Sequence, residues 1–341
     1  MSKKNIAIRC ITEKSKGYGN FTRALTLATS LKSHGHRVIF LINHNVNIES
    51  LLVKKKISFY KIPNKINYDI ENNFLLNLYE KNTFELLILD MREYGEIISK
   101  KISKFVPTIL IDDAFSKNVY SDIVINGSIN KKFHNYNIKN KKTKLLLGSK
   151  FFMANEKFLK NKKTNKQIIK KKLFTVLISI GGSDPKNLTS FIFNAIMNLP
   201  NIKIIIIIGP FFTNISKIKN LVKNKKNVLI KISPEKIWNE FAKADVIISK
   251  SGITLYELAI MGIPTLCISS FKHEEPSAKK FMKEKFLINL GMQNNVSKLL
   301  IKKNLSRLLD NTKQRRIMST NGKKIVDGKG LFRITRIINA I

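Results

Sequence analysis

The segment Ile180-Gly181-Gly182-Ser183-Asp184-Pro185-Lys186-Asn187-Leu188-Thr189 has the make-up of an anion cradle. A β-branched apolar run stops at two glycines, and a polar stretch leads into a second apolar run over residues 190–199, which reads as strand, tight turn and helix. Glycine lets the backbone come close to a ligand, Ser183 offers a hydroxyl, and unpaired N–H groups at the helix start favour a diphosphate. Short strand-to-helix turns also need glycine for steric reasons alone, so a ligand turn and a plain turn both stay open. Ser249-Lys250-Ser251-Gly252-Ile253-Thr254-Leu255-Tyr256-Glu257 repeats the strand, turn, helix order. Thr254 and Glu257 share a helix face. A carboxylate there is either a partner for the helix dipole or an acceptor for two vicinal ribose hydroxyls. In the N-terminal half, the turn Gly17-Tyr18-Gly19-Asn20 and the carboxylates Asp90, Asp112 and Asp113 lie just past predicted strands. Each aspartate could line a cleft or simply cap a helix or form a turn.

These residues need a scaffold that gathers strand ends. Apolar strands are expected at 5–11, 38–42, 57–60, 86–89, 108–111, 123–125 and 145–148, then at 174–180, 202–208, 228–232, 246–248 and 265–268. Between them lie helical or irregular stretches, among them a helix with Phe21, Leu25, Ala28 and Leu31 near one face. The five isoleucines 204–208 suit a central parallel strand buried on both faces. Alternation of this kind predicts an α/β protein of two doubly wound, Rossmann-like domains facing each other across a cleft, with ligands at the carboxyl ends of the strands. The expected divisions are an N-terminal domain at 1–155, a Lys-rich linker or exposed helix at 156–172 and a second domain at 173–325. Residues 326–341 form a final helix that returns to brace the first domain.

The 341 residues carry 62 Lys+Arg against 23 Asp+Glu, a formal net charge of +39, with 43% hydrophobic residues. Such charge ordinarily points to nucleic acid, a membrane surface or an anionic substrate. The excess is mostly lysine scattered among isoleucine and asparagine, with neither an arginine-rich arm nor an RNP-type aromatic motif, and it reads as compositional bias rather than nucleic-acid binding. The two cysteines, Cys10 and Cys267, fall in separate predicted strands and read as buried thiols of a reducing compartment. The apolar run behind Met1 is broken at Arg9, too early for a signal peptide, and no run reaches the roughly 18 residues of a spanning helix. A cytoplasmic monomer is expected, with peripheral membrane contact still compatible.

The order Gly-rich turn, Asp-Asp after a strand, Leu-Leu-Gly-Ser, Ile-Gly-Gly-Ser-Asp-Pro-x-Asn-Leu-Thr and Ser-x-Ser-Gly-x-Thr-x-Tyr-Glu-Leu-Ala resembles one family. It is that of the UDP-sugar hydrolase of pseudaminic acid biosynthesis (PseG) and the spore-coat polysaccharide proteins (SpsG), relatives of the MurG-type glycosyltransferases with the GT-B fold. The resemblance implies a UDP-sugar substrate whose nucleotide is held by the second domain. Gly181, Gly182 and Ser183 would meet the diphosphate from one side and Ser251, Gly252 and Thr254 from the other, with Glu257 on the ribose. The sugar would lie toward Gly17, Gly19, Asn20 and Arg23. In the hydrolases water attacks the anomeric carbon and UDP departs, with no obligatory metal or other cofactor.

Departures from the family pattern fall on the catalytic side. The family turn reads Gly-x-Gly-His, with the histidine as base, where this chain has Asn20, whose amide cannot take a proton at neutral pH. Asp90-Met91-Arg92 stands where the family has Asp-His-Tyr, and His273-Glu274 where it has Asn-Gln. Three readings follow. The base has moved to Glu13, Asp90, Glu93, Asp113 or His273, with Glu274 near the sugar; the acceptor is a sugar hydroxyl, which makes the chain a glycosyltransferase; or the chain is a nucleotide-sugar binder without catalysis.

Overall fold

Strand β1 (Asn5–Cys10) shows how each sheet is built. Ile6, Ile8 and Cys10 enter one core while Ala7 and Ile11 enter another, so the strand is apolar on both faces and needs cover on both. The computed structural model describes residues 3–12, 19–62, 67–91, 94–113 and 116–341. The chain divides into a first unit, Met1–Ala154 with Lys329–Ile341, and a second unit, Asn155–Gly328.

In the first unit β1 is followed by α1 (Gly19–Ser33), β2 (Arg37–Asn43), α2 (Val46–Lys54), β3 (Ser58–Ile62), α3 (Tyr68–Glu80) and β4 (Leu86–Asp90). Then come α4 (Gly95–Ile102), β5 (Thr108–Ile111), β6 (Asn118–Val119), β7 (Ile123–Asn126), β8 (Asn137–Ile138) and β9 (Lys144–Leu147). Seven of these strands form a sheet in the order β3-β2-β1-β4-β5-β7-β9, and every ladder in it is parallel. Strands β6 and β8 pair separately. Helix α1 buries Phe21, Ala24, Leu27, Ala28 and Leu31 on one face of the sheet, and α3 and α4 bury Leu75, Leu78, Ile98 and Ile102 on the other.

The second unit runs α5 (Glu156–Lys160), β10 (Phe174–Ser179), α6 (Leu188–Ile196), β11 (Ile202–Ile208), α7 (Ile215–Val222), β12 (Val228–Ile232), α8 (Ile237–Lys243) and β13 (Val246–Lys250). It continues with α9 (Ile253–Met261), β14 (Thr265–Ser269), α10 (Glu275–Lys283), β15 (Leu287–Met292), α11 (Lys298–Asp310) and α12 (Thr312–Ile325). Its sheet, β12-β11-β10-β13-β14-β15, is also wholly parallel. Isoleucines 204, 206 and 208 pack into the core beneath α6 and α11, and Ile205 and Ile207 are buried as well, as a strand covered on both faces requires. Strand β15 is an edge strand that the sequence pattern did not announce, because Asn289 and Gly291 interrupt its apolar run. No described helix is long and apolar enough to cross a membrane.

The Lys-rich stretch 156–172 is not a solvated spacer. Lys163 is buried and donates to the Ala244 carbonyl, and Arg315 and Arg316 donate to the carbonyls of Ile169 and Ile168 at 2.8 and 3.0 Å. The last helix, α13 (Gly330–Asn339), belongs to the first unit. Ile334 and Ile338 enter its core, Thr335 shares a hydrogen bond of 3.0 Å with Ser30, and His36 Nε2 meets Asn339 Oδ1 at 2.8 Å. Ile334→Ala removes fully buried apolar volume, and chemical denaturation of the variant is expected to show the first unit weakened by about 2–5 kcal/mol.

Candidate functional site

In the first sheet the winding direction reverses between β1 and β4, and in the second between β10 and β13. Connections leave such neighbouring strands toward opposite faces, which opens a crevice at their carboxyl ends. The candidate residues sit at these two places, each in its own unit.

At the first, Gly19 and Asn20 open α1, and Arg23 follows within one turn. Arg23 grips the fully buried Asp90, at the end of β4, with Nε on Oδ2 at 2.8 Å and Nη2 on Oδ1 at 2.7 Å. This is the two-pronged match of guanidinium to carboxylate. The Asn20 amide nitrogen also donates to Asp90 Oδ1, at 2.8 Å, and Arg23 Nη1 bonds to Asp113 Oδ1. Burial disfavours the Arg23 charge, but Asp113 and Asp90 outweigh it and hold the guanidinium well above its ordinary pKa. Burial pushes the Asp90 carboxyl above its ordinary value, against the opposing pull of Arg23.

Asp90 therefore departs from the role of proton acceptor: both its oxygens are committed, and it anchors Arg23 instead. Asp112 is likewise committed, accepting from Ser116 N at 3.1 Å and from the Tyr136 hydroxyl at 2.8 Å. The Tyr136 phenol is pushed up by burial and by that carboxylate. Asp113 differs, with its side chain 43% exposed. Gly17, Glu13 and Glu93 lie outside the described residues.

In the second unit, Gly181 turns the chain after β10 at φ +91°, a left-handed backbone that favours glycine. Gly209, which follows β11, lies against this turn so closely that a Cβ there would stand 2.3 Å from the Gly181 carbonyl and 2.5 Å from that of Gly182. Ser183 is half-buried beside it. The start of α6 is not the open anion site that the sequence suggested. The Asp184 carboxylate already accepts from Leu188 N and Thr189 N, both at 2.8 Å, so the chain supplies its own anion there.

The turn after β13 adjoins that after β10, since Ser179 pairs with Ser249 and the Ser249 hydroxyl donates to the Ser179 carbonyl at 2.9 Å. Gly252 precedes α9 at φ +156° and ψ −158°, a conformation that is essentially glycine's alone. No side chain caps α9. Thr254 is half-buried in its first turn. Ser251 is buried and donates to the Glu274 carbonyl at 2.9 Å, so its hydroxyl braces the loop after β14. Glu257 has no hydrogen-bond or ion-pair partner among the described residues, and burial pushes its carboxyl up to about 7.

Glu274, expected near a sugar, is instead a brace. Its Oε2 accepts from Ser270 N at 2.8 Å and Phe271 N at 3.2 Å, and Lys250 Nζ stands 3.5 Å from Oε1. Two lysines converge here on one ring. Lys186 Nζ lies 4.8 Å from the Phe271 centroid while donating to the Ser270 carbonyl at 2.6 Å, and Lys250 Nζ lies 5.8 Å from the same centroid. The exposed His273 stacks on Phe271 with ring centroids 5.7 Å apart. Among the described residues, no three of His, Cys, Asp and Glu converge as a metal site would require.

Comparison with known proteins places this arrangement. No protein-family model matches the chain. It is 25% identical over 335 residues to the spore coat polysaccharide biosynthesis protein SpsG of Bacillus subtilis, across 95% of this chain and 94% of that protein. An uncharacterized protein of Methanocaldococcus jannaschii is 28% identical over 273 residues, 76% of this chain and 55% of its own length. Among solved structures, MurG of Acinetobacter baumannii superposes with a TM-score of 0.74 at 14% identity, covering 99% of this chain and 100% of that one. HepE of Anabaena, crystallised with UDP and glucose, superposes with a TM-score of 0.61 at 11% identity over 99% of this chain and 100% of its own. The chain is an SpsG/PseG-like protein with the GT-B fold.

Within this SpsG-like chain, sequence reasoning overlooked Lys186, Lys250 and Gly209. The two lysines were hidden among 62 Lys+Arg, and their only signal was position, one just past the Gly-Gly turn and the other at a strand end. Gly209 carried the plainer signal of a glycine directly after an isoleucine run.

Two outcomes test this geometry. Gly209→Ala must displace the Gly181–Gly182 backbone, so the variant should lose about tenfold or more in anion affinity by calorimetry while remaining folded by circular dichroism. Glu257 holds its proton more tightly folded than unfolded, so its contribution is intact below about pH 4.5 and is lost as pH rises toward 7. Glu257→Gln should therefore match the parent in thermal denaturation at pH 4 and exceed it at pH 8 by about 1–3 kcal/mol.

Proposed function

We propose that this chain is a UDP-sugar hydrolase-like enzyme, releasing UDP from a UDP-activated amino-deoxy sugar in surface-glycan or nonulosonic (pseudaminic-type) acid synthesis. The observation that carries this reading lies in the second unit, where two glycine turns adjoin at the switch point. Two ammonium groups stand beside them, and an unpaired carboxylate follows one turn along the second helix. In this reading the backbone of Gly181, Gly182 and Ser183 and the N-terminus of α9 take the diphosphate, with Thr254 beside it. Lys186 and Lys250 supply charge, and Glu257 accepts the two ribose hydroxyls. The printed role of SpsG in spore coat polysaccharide synthesis and the binding of UDP by HepE support the substrate class.

In the hydrolytic step a water oxygen bonds to the anomeric carbon as the bond from that carbon to the β-phosphate oxygen breaks. The electron pair leaves with UDP, where positive charge is worth most. A second reading, a nucleotide-sugar binder without turnover, is favoured by Asn20, whose amide is hydrogen-bonded to Asp90 and accepts no proton. A glycosyltransferase would use the same donor and a sugar hydroxyl in place of water.

Calorimetry with UDP, CMP and GDP, then incubation with a panel of UDP-amino-sugars, separates these readings. Selective UDP binding with UDP release in water alone is the expected result. Release only on addition of an acceptor would transfer the assignment to a glycosyltransferase, and binding with no release under either condition to a binder. No nucleotide binding would overturn the proposal. Lys186→Ala and Lys250→Ala should each weaken UDP about tenfold and leave uridine unaffected, because only the diphosphate meets them.

A further inference from the structure

We infer that Asp113 is the group that takes the proton from the attacking water, doing in this chain what Asn20 cannot. The inference rests on the hydrolase reading and names the base for it. Three carboxylates stand at the carboxyl ends of β4 and β5: Asp90, Asp112 and Asp113. Asp90 is sealed by Arg23 and Asn20, and Asp112 by Ser116 N and the Tyr136 hydroxyl. Asp113 alone of the three keeps an oxygen, Oδ2, with no hydrogen-bond partner among the described residues, on a side chain 43% exposed. Its other oxygen is held by Arg23 Nη1, and Arg23 is in turn immobilised by the two-pronged contact to Asp90. Asp90 and Arg23 are thus positioning residues, and the chain of contacts fixes the direction of the free oxygen.

A carboxylate paired to a guanidinium is a weak base, yet the reaction suits it. Departure of the diphosphate leaves positive charge on the anomeric carbon, and the water becomes acidic as its oxygen bonds to that carbon. Carboxylates act as general bases toward water in sugar hydrolysis for the same reason. The balance is simple: the carbon–oxygen bond to phosphate breaks, a carbon–oxygen bond to water forms, and the water proton passes to Asp113 and then to solvent. His273 lacks the second group that orients a catalytic imidazole, since its contact is the Phe271 ring.

The test uses the full chain and whichever UDP-sugar of the panel it turns over. Asp113→Asn should lower kcat by about 10²–10⁴ while UDP affinity by calorimetry stays within about threefold. Asp113→Gly should regain rate on addition of formate, a response that a structural defect would not give. Turnover of Asp113→Asn within about threefold of the parent would overturn the assignment, as would a loss that formate does not relieve in Asp113→Gly. Parent protein that binds UDP but releases none from any UDP-sugar would overturn the base while sparing the nucleotide site. Parent protein that binds no UDP would remove the functional reading and the base with it.

Discussion

Both sheets of this protein are held by parallel ladders, and a parallel ladder sends every strand's carboxyl end to one edge. From that constraint the rest follows. Each strand must be covered on both faces, which is why β11 is five isoleucines in a row and β1 divides its residues between two cores. Helices leaving the central pair of strands must part to opposite faces, and the polar residues gathered where they part are those with chemistry to offer. The same geometry assembles Asn20, Arg23 and Asp90 in one unit and the Gly181 and Gly252 turns in the other.

The two strand-end clusters use charge in different ways. In the first unit carboxylates surround one guanidinium, and the buried Asp90 is tolerated because Arg23 and Asn20 saturate it. Breaking such a buried pair leaves an uncompensated charge, so the cluster is rigid by necessity. In the second unit two ammonium groups share an aromatic ring and a carbonyl, contacts that hold lysine in place without cancelling its charge. A net charge of +39 therefore says less about function than the placement of two of its members.

Much of the scaffold was legible in the sequence because apolar periodicity reports burial directly, and double burial writes itself as unbroken runs such as residues 202–208. Strand β15 escaped notice because an edge strand can afford Asn289 and Gly291. The glycines at 181 and 252 were legible as turns, since their backbone conformations exclude other residues. Hydrogen-bond partners were not. Nothing in the local pattern distinguished Asp90 and Asp112, whose oxygens are consumed, from Asp113, whose partner Arg23 lies 90 residues away. Glu274 was mistaken for a ligand contact for the same reason: its role is set by the backbone of Ser270 and Phe271 folding back on it.

Asp184 gives the second unit a property of its own. A helix start that depends on a bound anion loosens each time that anion departs, and must be rebuilt before the next can be received. Here Leu188 and Thr189 are held by a carboxylate that never leaves, so the turn ahead of α6 keeps its shape through every cycle of loading and emptying. Permanence of form on that side shifts the burden of telling an occupied site from an empty one to α9, whose first turn has no such resident.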